Sequence, residues 1–110
     1  MRDIELGGAD VTTDPFFGMY WVHVCGDAQE ARPICYAFLR GIQGVNELLT
    51  ATKRPLWCEP VAIVVSPEQM RVIFLRTLSD EAANLHDEPA AGIAILGLIR
   101  AFPYQKIVKK

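Results

Sequence analysis

Apolar residues recur along this chain at steps of three and four, and the recurrence is broken at four places where a capping residue is followed by proline, the punctuation of helix starts. The first break, TDPFF, places Asp14 as N-cap and Pro15 at the first helical position of a helix ending near Gly26. Its apolar face would be Phe16, Phe17, Tyr20, Trp21 and Val24. The second helix is expected from about Pro33 to Thr52, with Ile34, Cys35, Phe38, Ile42, Val45 and Leu49 toward the core and Arg40, Gln43 and Glu47 toward water. The third opens in SPEQ, where Ser66 and Gln69 can cap one another's amides, and buries Met70, Ile73, Phe74 and Leu78. The fourth, capped at or near Asp87 and ended by Pro103, is apolar nearly all round. Ala90, Ala94, Gly97 and Ala101 make a small-residue row, and Ile95, Leu98, Ile99 and Phe102 lie on other sides.

These elements predict an all-α fold, a four-helix domain over residues 14–104. The segment PLWCEPVAIVV, residues 55–65, reads as a long irregular connection between helices two and three, with room for a short strand. Residues 1–13 and 105–110 read as flexible ends. A helix with two faces to bury can sit centrally in its own domain or lie between two subunits, so a symmetric homodimer is expected, with helix four central to each core or close to the interface.

Composition changes this picture little. With 110 residues, 51% hydrophobic and 22% charged, the chain has the balance of one globular domain. Eleven basic and thirteen acidic side chains are scattered without a basic stripe, which argues against nucleic acid. No apolar run is long enough to span a bilayer, and MRDIELGGADVTTD lacks the apolar stretch of a signal peptide. The expectation is a mature periplasmic form without its signal, or else a cytoplasmic protein.

Candidate chemistry is sparse. His23 and His86 stand far apart, and neither has a thiol or carboxylate at metal-ligand spacing; the interval from Cys25 to Cys35 is too wide for a CxxC site. His23 lies two residues from Cys25, an offset that points the two to different sides of a helix. The pairs Asp80/Glu81 and Asp87/Glu88 flank helix ends, where the second pair suits the helix dipole. Gly41 and Gly44 fall inside a helical period and permit close packing against a neighbour, with no phosphate loop about them. The chain is therefore expected to be no enzyme and to hold no cofactor or metal.

The succession Cys35, Phe38, Gly41 in C-x-x-aromatic-x-x-G, then Cys58 and Pro60 in C-x-P, the capped SPEQM, His86 and an Ala-rich helix ending AFP resembles the Rap/Tai family of immunity proteins. The likeness runs from about residue 25 to residue 103. Proteins of that family protect bacteria against peptidoglycan amidases delivered by type VI secretion. This chain departs from the family in carrying Tyr104 where a cysteine commonly follows AFP, and in showing no export signal. The resemblance implies an inhibitor that fills an amidase's active-site cleft from a rigid scaffold. Its contact surfaces would be the connection from Lys53 to Val65, with Trp57 as its aromatic anchor or folded over the core, and the loop from Leu78 to Glu88, with Asp80, Glu81, Asn84 and His86. A periplasmic stress or chaperone-like protein of similar build, binding clients through a loosened dimer, is the alternative.

Three cysteines allow at most one intramolecular bridge. Cys35 in the first turn of helix two and Cys58 at the start of the extended return would pin an irregular segment to a regular one. That bridge, expected here, would close a loop of about 24 residues and contribute about 3 kcal/mol. By the resemblance Cys25 would have faced the cysteine that Tyr104 replaces. A pairing of Cys25 with Cys35 would close a shorter loop and stays open at this level, and in a reducing compartment all three would remain thiols.

Overall fold

The computed structural model describes residues 13–59, 64–80, 85 and 87–103. Their regular structure is four α-helices, α1 (Gly18–Cys25), α2 (Arg32–Ala51), α3 (Pro67–Leu78) and α4 (Ala90–Ala101), with one turn of 3-10 helix at Gln29–Ala31 leading into α2. The fold is all-α.

Local chemistry explains where most of these helices begin and end. Ser66 Oγ accepts the Gln69 amide at 3.1 Å and Gln69 Oε1 accepts the Ser66 amide at 2.7 Å, so the capping box read from SPEQ is formed. At the far end of α2, Lys53 adopts φ 64°. This left-handed residue lets the Lys53 amide reach Thr50 O at 2.9 Å and the Arg54 amide reach Leu49 O at 2.7 Å, satisfying two carbonyls of the last turn.

Helix one starts later than its sequence suggests. Asp14 Oδ1 accepts the Phe16 amide at 2.9 Å and its carbonyl accepts that of Phe17 at 3.1 Å, so Asp14 caps a turn rather than a helix. The turn is fastened by Trp21 Nε1, which donates to Pro15 O at 2.7 Å. Phe17 is extended and bridges antiparallel to Pro89. Through that bridge the Gly18 amide donates to Glu88 O at 2.9 Å and the Ala90 amide to Phe16 O at 2.7 Å. The first amides of α1 and α4 are thus satisfied by each other's lead-in segments, which is why α4 begins at Ala90 without a side-chain cap from Asp87. Gly18 lies close under its neighbours: a Cβ there would stand 2.5 Å from Ile93 Cδ1 and 2.9 Å from Leu78 Cδ2, so both side-chain ends would have to shift.

The core gathers Trp21, Leu39, Trp57, Val65, Met70, Phe74 and Leu98 around a stacked pair, Trp21 and Phe38, with ring centroids 4.2 Å apart. The α3–α4 pairing is the most extensive between helices. It is close because Gly97 faces Thr77 and Ile73; a Cβ there would collide with Thr77 Oγ1. Ala90, Ala94 and Gly97 are buried, giving α4 a central place in its own domain, while Ala101 is exposed.

On α2 the buried face is turned from the expected one. Cys35 and Ile42 are buried, but Ile34 and Val45 are exposed, and Leu39, Gln43 and Asn46 occupy the core side. The two amides draw the helix round because the connection after α2 offers them backbone and carboxylate partners in the interior. Residues 53–59 and 64–66 form no strand; residues 60–63 lie outside the described residues, as do the expected flexible ends 1–13 and 105–110 except for Thr13.

Candidate functional site

Two connections carry the candidate contact residues, and one disulfide fixes the scaffold beneath them. Cys25 ends α1 and Cys35 lies in the first turn of α2. The short link between them brings their Cα atoms to 5.2 Å, and their sulfurs are bonded. The expected Cys35–Cys58 bridge is therefore not formed, and Cys58 keeps a half-buried thiol. The physical reason lies in what holds the connection. Asn46 Oδ1 accepts the amides of Leu56 and Trp57 at 2.6 and 3.3 Å, and its Nδ2 donates to Trp57 O at 3.0 Å. The Cys58 amide donates to Phe102 O at 3.0 Å, at the end of α4. Residues 56–58 are thus tied three turns down α2 from Cys35, about 16 Å along the helix axis, beyond the reach of a disulfide.

Trp57 lies wholly inside the core, so it offers no anchor to a partner and its place among the contact residues is withdrawn. Its indole Nε1 donates to Glu59 Oε2 at 2.9 Å, and Gln43 Nε2 donates to both oxygens of Glu59 at 3.1 and 3.3 Å and to Val65 O at 3.3 Å. Burial of an indole beside a carboxylate is stable because the N–H finds that partner. The connection frames a cleft of about 420 Å³ lined by Asn46, Glu47, Thr50, Pro55, Trp57, Cys58 and Glu59. Gln43, Asn46 and Glu59 are the residues that sequence reasoning missed here. Their signal was two amides three positions apart on α2, ahead of a segment bounded by Pro55 and Pro60.

The second connection joins α3 to α4. Asp80 is half-buried, and Arg100 Nη1 donates to its Oδ2 at 3.4 Å. Glu81, Asn84 and His86 lie outside the described residues. At the far end Leu85 O accepts the Glu88 amide at 3.0 Å, and Glu88 O is held by Gly18. Both ends of the loop are therefore fastened to the helical core, and Asp87 and Glu88 are exposed beside the paired helix starts.

A third cluster ties α1, α2 and α3 together. Arg71 Nε donates to Glu68 Oε1 at 2.8 Å and its Nη2 to Glu68 Oε2 at 2.5 Å, while Tyr36 OH donates to Glu68 Oε1 at 2.6 Å. Arg71 Nη1 also donates to Cys25 O at 2.8 Å, satisfying a carbonyl at the C-terminus of α1. The bonds from Arg71, and then from Tyr36, hold the Glu68 carboxyl down at about 2, and the same carboxylate raises Arg71 further.

Among the described residues no three histidine, cysteine or acidic side chains are grouped to hold a metal, and no helix is long and apolar enough to cross a membrane. His23 is exposed on α1, and no described histidine lines the cleft beside Cys58. The geometry offers shape and charge at two fastened connections. The chain matches no protein-family model, no curated protein and no solved structure.

Proposed function

We propose that the chain is a non-catalytic binding protein, an immunity-like inhibitor of a peptidoglycan amidase delivered by type VI secretion. The observation that supports this reading is the anchoring of the α3–α4 connection at both ends, through Arg100 to Asp80 and through Gly18 to Glu88, with exposed acidic residues at its base. Holding the two ends of a connection lowers the ordering cost of binding through it, which helps a small inhibitor bind tightly. The Cys25–Cys35 disulfide suits an oxidising compartment, and the periplasm, where such an amidase would act, is one.

The test looks for a papain-like amidase gene beside the gene for this chain and pairs the two products; absence of any such neighbour would count against the reading. Periplasmic co-expression should protect cells from lysis by that amidase, the Asp87→Lys and Glu88→Lys variants should protect less, and the purified chain alone should release no peptidoglycan fragments. Turnover that tracks with the chain and vanishes on one substitution would overturn the reading. So would protection of unfolded clients at low pH without amidase inhibition, the behaviour of a stress chaperone.

A further inference from the structure

The starts of α1 and α4 are tied together at the surface, and the tie holds one aromatic ring in water. Phe16 is 59% exposed although its backbone is fixed on both sides: its amide donates to Asp14 Oδ1 at 2.9 Å, and its carbonyl accepts the Ala90 amide at 2.7 Å. The Phe17 ring stands edge-on to it, with centroids 5.0 Å apart. Beside the same pairing opens a groove of about 240 Å³, lined by Leu85, Glu88, Pro89, Gly92, Ile93 and Leu96. Gly92 helps keep it open, since no neighbouring atom lies within 4 Å of where its Cβ would stand. Asp14, Asp87 and Glu88 belong to the two lead-in segments, and among the described residues none of the three is paired with a lysine or arginine.

We propose that these paired helix starts are the docking surface for a basic segment of a protein partner, in which an apolar side chain flanked by arginine or lysine enters the Gly92 groove. The flanking cation then lies over the exposed face of Phe16 and beside the carboxylates of Asp87 and Glu88.

Size and charge select that occupant. At about 240 Å³ the groove falls below the range of about 300–1,000 Å³ common for small-molecule sites, and it suits one inserted side chain. Three carboxylates without cations repel the phosphates of nucleic acid and of anionic lipid, so neither is drawn to the exposed ring. A basic segment is attracted instead. Aromatic side chains are enriched where protein partners meet, and a ring whose backbone is already fixed by hydrogen bonds adds little ordering cost on binding. Because Glu88 is also the fastened end of the α3–α4 connection, the proposal rests on the reading of the chain as a binding protein, and it does not require the partner to be an amidase.

Selection of a displayed random-peptide library on the full chain tests it. Peptides with an apolar residue between arginines or lysines should be enriched, and calorimetric titration of one such synthetic peptide should show an affinity that falls with salt. Phe16→Ser and Gly92→Gln change exposed positions, so both should keep the helical circular dichroism while weakening that affinity by about tenfold or more. Asp87→Asn and Glu88→Gln should each weaken it severalfold and reduce the salt dependence. No enrichment, enrichment of acidic or purely apolar peptides, or an affinity unmoved by Phe16→Ser and Gly92→Gln would overturn the proposal. Peptide capture of the expected kind without protection from an amidase would support the surface and remove the amidase reading, whereas protection without peptide capture would do the reverse.

Discussion

Glu68 sits in the first turn of α3, where a carboxylate already suits the helix dipole, and Arg71 and Tyr36 then bind it from two sides. Its folded pKa of about 2 lies below the ordinary 4.5. The clasp therefore contributes its full stability above about pH 4.5, and that contribution is lost as pH falls toward 2. Because Glu68 is exposed, the amount is small and falls with salt. Glu68→Gln should flatten the melting temperature as a function of pH between 4.5 and 2. Wild-type and variant curves of equal slope would mean that the clasp does not govern acid stability. Cys25 and Cys35 belong to the same corner of the molecule, and the loop they close contributes about 3 kcal/mol by restricting the unfolded chain. Non-reducing peptide mapping should recover a Cys25–Cys35 linked peptide and alkylated Cys58. The paired Cys25→Ser, Cys35→Ser variant should lose roughly that stability in denaturant melts. A linked peptide containing Cys58 would contradict the fold described for residues 56–58.

Between elements the same residue type has opposite meanings. Gly97 meets Thr77 and Ile73 across the α3–α4 crossing, whereas a Cβ on Gly92 would meet nothing within 4 Å. Gly97→Ala should therefore cost about 1 to 3 kcal/mol by forcing the helices apart. Gly92→Ala should add up to about 1 kcal/mol by removing freedom from the unfolded chain and improving helix propensity. Paired thermal melts decide it, and destabilisation by both would show that Gly92 packs against something. Thr77 adds to the closeness of the crossing, because its hydroxyl turns back to Ile73 O at 2.9 Å instead of pointing into the interface as an unpaired group.

At the scale of the molecule, two buried amides on α2 organise what no hydrophobic pattern could. Gln43 and Asn46 are 3% and 4% exposed, and together they hold Leu56, Trp57, Glu59 and Val65 against the helix. This turns α2 about its axis and leaves Ile34, Val45 and Leu48 outside. The inhibitor reading rests on a second fastened connection, from α3 to α4.

The sequence by itself determined the all-α class, the extents of α2 and α3, the Ser66 capping box and the end of α4 before Pro103, because each depends on residues within a turn or two of one another. It also placed Met70, Phe74, Ile42, Trp21 and Leu98 on faces that are in fact buried. Tertiary structure alone decided the start of α1, where Phe17 pairs with Pro89 from the other end of the chain, and the rotation of α2, where the interior partners of Gln43 and Asn46, Glu59 and Leu56 among them, arrive from ten or more residues away. It decided the disulfide for the same reason. Spacing permits Cys35 to pair with either of the other two cysteines, and only the hydrogen bonds that carry Cys58 to the end of α4 remove one of them.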